Sequence, residues 1–160
     1  MYSKEMLGWA EVQAALQAIY EEVSKRIAVN PSQAPVSVAI VDDQCELIGA
    51  MRMDGAATPL SIYEARKMAY TAARMRIETR ALGERAQKIG RPASDYGDVT
   101  VVPGGVWITE PGVDKSKNPG QRGPTGYGGI GVAGAGADQN EELAFLGLRA
   151  LQKACWGSAD

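Results

Sequence analysis

Arg52 and Asp54 stand two residues apart in Glu46 to Asp54, a segment that alternates Leu47, Gly49, Met51 and Met53 with Ile48, Ala50, Arg52 and Asp54. On a β-strand that spacing sends both side chains to one face, about 7 Å apart. An arginine there fixes a carboxylate, and an aspartate acts as a base or hydrogen-bond acceptor. The same spacing also suits a structural ion pair at a strand end. Further along, Tyr63, Lys67, Tyr70 and Arg74 follow one another by four, three and four residues. On a helix they put two cations and two phenols on one face, with Arg66 and Thr71 as neighbours. That face is either the border of a ligand site or simply solvated. Glu141 is placed to close a capping box with Asp138, whereas Glu142 has no capping role and is a candidate for proton handling in a pocket under the glycine-rich segment. Gly104 and Gly105 could offer backbone N–H groups to an anion, or serve only a tight turn.

Several chemistries are excluded by what the 160 residues lack. There is no histidine, which removes Ser-His-Asp and Cys-His catalysis and the His-ligated zinc sites. No phosphate-binding G-x-x-x-x-G-K-[ST] loop and no G-x-S-x-G turn is present. Gly129, Gly131 and Gly134 do match G-x-G-x-x-G, but no second strand with an acidic residue follows the next helix, as dinucleotide binding requires. Close packing of a final strand accounts for these glycines better. Cys45 and Cys155 form no C-x-x-C pair and read as reduced, inert thiols in the cytosol. Lys and Arg number 17 against 19 Asp and Glu, a net charge of -2, which gives no reason to expect nucleic acid or an anionic membrane as partner. The opening MYSKEMLGWAEVQ carries Glu5 and Glu11 and has no apolar core of a signal peptide, so a cytoplasmic location is expected.

The elements that must position these residues follow from periodicity. Val12, Leu16, Ile19, Val23 and Ile27 recur every three or four residues and predict a helix from Glu5 to Val29, ended by Asn30 and Pro31. Val36 to Val41 reads as a strand buried on both faces and pairs with Glu46 to Asp54 as an antiparallel hairpin. A second helix starts at Thr58-Pro59 or at Ser61, where Ser61 and Glu64 have capping-box spacing, and runs to Arg76 with the stripe Ala65, Ala69, Ala72, Ala73. A short helix spans Glu78 to Lys88, and a loop extends to Asp98. Strands are predicted at Thr100 to Val102, Val106 to Thr109 and Tyr127 to Ala133, with a last helix from Asp138 to Cys155. Glu110 to Gly126 is polar, rich in Gly and Pro, and longer than a hairpin needs, which leaves a functional flap or plain disorder open. The order α-β-β-α-α-β-β-β-α predicts one α+β domain over residues 1–160. Its largely antiparallel five-stranded sheet is covered by helices in α-β-α layers.

Six blocks carry a family resemblance: Val38 to Asp42, Met51 to Ala56, Ala65 to Ala72, Pro103 to Val106, Gly129 to Gly134, and Asp138 to Glu142. As an ordered set they resemble the GlcG/HbpS-like family, also called the haem-degrading or PduO C-terminal-like domain. The resemblance implies a five-stranded antiparallel sheet with helices on both sides, assembled as a dimer or larger homo-oligomer. Some members bind haem, some sit beside cobalamin-related domains, and others serve small-molecule catabolism. The chain departs from the pattern twice. Without histidine, haem would need Tyr, Cys, Met or Thr as its ligand, and Glu110 to Gly126 replaces a shorter connection. The first expectation is therefore a catabolic enzyme without metal or redox cofactor, acting on a small carboxylate by hydrolysis, deamination, isomerisation or lyase chemistry. In it Arg52, with Lys67 or Arg74, orients the substrate and Asp54 or Glu142 moves protons. Tyr70, Gly104 and Gly105 complete the candidate binding residues. The alternative is a protein that binds haem, another tetrapyrrole or another small ligand, and a scaffold subunit ranks last.

Overall fold

The computed structural model describes residues 1, 4–115 and 126–157. Helix α1 (Trp9–Val29) starts at Trp9, four residues later than predicted, with Gly8 as its N-cap. Strands β1 (Ser37–Asp42) and β2 (Leu47–Arg52) form the expected antiparallel hairpin. Its turn is built by Asp42, whose Oδ1 accepts from the N–H groups of Gln44 and Glu46 at 2.9 Å each, a side-chain mimic of a backbone turn. Helices α2 (Ser61–Met75) and α3 (Thr79–Ile89) follow, then a single 3-10 turn at Ala93–Tyr96. Strands β3 (Gly105–Thr109) and β4 (Gly126–Ala133) lead into α4 (Ala137–Trp156).

The sheet among the described residues has four strands, not five, in the order β2-β1-β4-β3, and every neighbouring pair is antiparallel. The predicted strand at Thr100 to Val102 is absent because its backbone is satisfied elsewhere. The Thr100 N–H donates to Thr71 Oγ1 at 3.1 Å, and the Val102 N–H donates to Thr100 Oγ1 at 3.2 Å. Such local side-chain bonds compete with a strand ladder. Of the segment Glu110 to Gly126, predicted as flap or disorder, residues 116–125 lie outside the described residues.

The two faces of the sheet are packed by different means. On one face Val38, Ile40, Val106, Ile108, Ile130 and Val132 meet α1 and α4 through Ile19, Val23, Leu143 and Leu151, all buried. On the other face the residues under α2 are mostly small, Ala39, Ala133, Gly105, Gly129 and Gly131, with Val41 and Trp107 towards one end. There α2 lies with Ala65, Ala69 and Ala73 against the strands. A Cβ at Gly131 would strike the Ala65 carbonyl oxygen, and one at Gly129 the Ala69 carbonyl oxygen. The G-x-G-x-x-G run is therefore a seat for a helix backbone. The α-β-α layering agrees with the sequence reading.

Two capping predictions fail. Ser61 is the first helical residue of α2 and its hydroxyl bonds to Ser37 Oγ at 2.8 Å, while Leu60 takes the N-cap position in the left-handed region at φ 59°. On α4 the N-cap is Gly136, and both Asp138 and Glu141 turn to the Arg80 guanidinium instead. A charged partner from α3 is a stronger hydrogen-bond donor than a backbone amide.

Candidate functional site

Once α2 has buried its alanine stripe, its long polar residues are left on the opposite side. Tyr63, Arg66, Lys67 and Tyr70, together with Asp98 from the loop after α3, line a concave cleft of about 310 Å³. The spacing read from the sequence thus does place Tyr63, Lys67 and Tyr70 around one space. Lys67 Nζ pairs with Asp98 Oδ1 at 2.9 Å, and that hydrogen bond holds the ammonium above the ordinary lysine range. Arg74 sits one turn beyond, its guanidinium 5.9 Å from the centre of the Tyr70 ring, close enough for a cation–π contact.

The loop that supplies Asp98 is fastened to α2 on both sides of it. Arg74 Nη1 donates to the Tyr96 carbonyl at 2.6 Å. The buried Thr71 hydroxyl donates to the Lys67 carbonyl at 2.8 Å while accepting the Thr100 N–H. Between these anchors Gly97 takes φ 91°, and the Val99 N–H bonds to the Gly97 carbonyl at 2.9 Å. That bond closes a three-residue turn with Asp98 at its apex. Asp98 is absent from every sequence-level candidate set, since an acidic residue in a Gly-Pro-Ser loop has no periodic signature.

The other predicted site residues lie outside this cleft. Arg52 closes β2, is exposed, and donates from Nη2 to the Ala56 carbonyl at 2.5 Å. Asp54 falls in the turn after the strand, so the two do not share a strand face, and among the described residues they form no ion pair. They stand near the start of α2, because Arg52 is the register partner of Ser37, which bonds Ser61. Glu142 belongs to the other helical layer, bound to Arg26 of α1 at 2.6 Å, and Arg26 holds its carboxyl below the usual range. Gly104 and Gly105 are buried, and the Gly105 N–H donates to Thr79 Oγ1 at 3.0 Å. Gly104 has φ 141° in a turn packed on Met68 and Asn140. The Gly105 amide is thus engaged within the protein by Thr79.

Both thiols are pushed up by burial, Cys155 to about 11, which disfavours the reactive thiolate. Among the described residues no group of three or more Cys, Asp or Glu is placed to hold a metal ion, and no helix is long and apolar enough to cross a membrane. What the cleft can do is recognise negative charge with Arg66 and Lys67 and offer phenol rings and hydroxyls from Tyr63 and Tyr70.

The family model described as haem degrading protein HbpS-like matches residues 7–149. The chain belongs to the HbpS-like family. No curated protein matches it. Among solved structures, this HbpS-like chain is similar to a double mutant of HbpS from Streptomyces reticuli, 27% identical with a TM-score of 0.73 over 92% of this chain and 88% of that one. A further HbpS structure is 26% identical, with a TM-score of 0.72 over 99% and 95% of the two chains. A PduOC–heme complex, at 24% identity and a TM-score of 0.70 over 91% and 95%, shares the fold. The HbpS-like fold therefore agrees with the resemblance carried by the six sequence blocks.

Proposed function

We propose that this HbpS-like chain binds a small anionic ligand with a flat unsaturated ring system, of the haem or related tetrapyrrole class, in the cleft on the outer face of α2. The observation that carries this reading is the convergence of Arg66, Lys67, Tyr63 and Tyr70 on one cleft. Guanidinium and ammonium groups pair with ligand carboxylates, and tyrosines offer an apolar body with a polar tip. The family description and the heme complex of PduOC support the same ligand class.

Haem suits the donors present if its iron is held by oxygen. A tyrosine phenol is a known haem ligand, and the half-buried Tyr70 is the residue to hold the iron, with Arg66 and Lys67 on the propionates. When bound, haem would supply a redox-active iron, while the protein supplies orientation and charge neutralisation. Ligand pockets commonly measure roughly 300–1,000 Å³, so a cleft of about 310 Å³ seats one edge of a tetrapyrrole and leaves the rest outside it. Turnover of a small carboxylate finds less support. Asp98 is the one carboxylate among the lining residues and is paired with Lys67, while Asp54 and Glu142 lie elsewhere.

Titration with haemin tests the proposal. Saturable binding of about one haem per chain is expected, and Tyr70→Phe should change the Soret and charge-transfer bands. Replacing both Arg66 and Lys67 by Ala should weaken binding about tenfold or more, since a hydrogen bond to a charged group is worth about 1.5–3 kcal/mol. A linear, unsaturated signal with the wild-type protein would sink the haem assignment.

A further inference from the structure

Within that cleft, and resting on its reading as an anion-binding site, we infer that Asp98 is a tethered competitor for the ligand. Its carboxylate holds the Lys67 ammonium at 2.9 Å, where a ligand carboxylate would have to sit. Three features make this contact a removable plug. The Asp98 side chain is 78% exposed against 26% for Lys67, so it can swing into water at little cost. The chain on either side is fixed, by Arg74 to the Tyr96 carbonyl and by the Thr100 N–H to Thr71, so release needs one side-chain rotation and no loop opening. The three-residue turn from Gly97 to Val99 presents Asp98 at its apex. The tether keeps a competing anion beside the ammonium whatever the concentration of free anions in solution.

The consequence is a moderated affinity for anions. A ligand carboxylate must displace Asp98, exchanging one ion pair for another. A ligand that makes no use of Lys67 is unaffected by the plug. The pair is exposed and screened by water, so the plug lowers apparent affinity for an anion only by a factor of about three to five.

The test uses the full chain and two anionic probes, haemin and the dye anilinonaphthalene sulfonate. Asp98→Asn should bind both about three- to fivefold more tightly than wild type, and in the Lys67→Met background the same substitution should give no gain. If wild type binds haemin and Asp98→Asn binds it equally or more weakly, the plug is overturned while the binding reading stands. If wild type shows no saturable haemin binding, the haem reading fails, and the dye series decides the plug alone: no tightening in Asp98→Asn overturns it.

Discussion

Tyr127 shows how a single buried polar group sets a pH limit on stability. Its phenol donates to Glu110 Oε1 at 2.9 Å, and its ring meets Trp156 edge-on with centroids 5.2 Å apart. Burial, and then the hydrogen bond to Glu110, push its pKa from 10.0 up to about 12. A raised folded pKa favours the neutral form in the fold, so this contribution is fully present below about pH 10 and is lost as pH rises through about 12. In an absorbance titration near 295 nm, a late ionisation step at about pH 12 should belong to Tyr127. Tyr127→Phe should remove that late step, cost about 1 kcal/mol at neutral pH for the lost hydrogen bond, and make alkaline unfolding less steep. If the late step persists in Tyr127→Phe, the assignment is wrong.

At the scale of the element, α2 and the loop from Ala93 to Thr100 act as one wall. Thr71 joins them, being wholly buried with its hydroxyl bonded on both sides. Thr71→Val keeps the volume but strands the Thr100 N–H, which should cost about 1–2 kcal/mol. It should also speed amide exchange at Thr100. Unchanged exchange at Thr100 would show that the loop is held by other contacts. The helix half of this wall was legible in the sequence because the spacing of Tyr63, Lys67 and Tyr70 is a property of helical pitch alone. The loop half was not, since Asp98 reaches Lys67 through a turn at Gly97 that no periodicity records. The capping boxes at Ser61 and Asp138 were misread for a related reason. Capping is a local rule, and Ser37 and Arg80, distant in sequence, offered better partners. Arg52 and Asp54 were assigned to one strand face, but β2 ends at Arg52 and the alternation stops with it.

For the whole molecule, the layers were legible and their spacing was only half so. The short β-branched run of β1, bounded by turn residues, predicted burial on both faces, as found. The fifth strand was over-read because Thr100 to Val102 has the composition of a strand but its hydrogen bonds go to Thr71 and Thr100 side chains. The close approach of α2 to the sheet follows from glycine and alanine meeting across that interface. Gly131→Ala should therefore push α2 off the sheet and cost about 3 kcal/mol, the upper end for overpacking. Gly136→Ala, whose added methyl meets nothing within 4 Å, should cost at most about 1 kcal/mol, the N-cap preference for Gly over Ala. Urea unfolding of the pair measures both, and equal midpoints would contradict the backbone-on-backbone account.

That contact also separates two jobs within one helix. The inner side of α2 answers only to the sheet, through Ala65, Ala69, Ala73 and the glycines they touch. The outer side, Tyr63, Arg66, Lys67 and Tyr70, owes the core almost nothing. Its residues can be exchanged with little effect on folding, and the rail that carries them will not shift when they are. A protein arranged in this way can be retuned from one ligand to another by surface edits along a single helix, with the scaffold indifferent to the outcome.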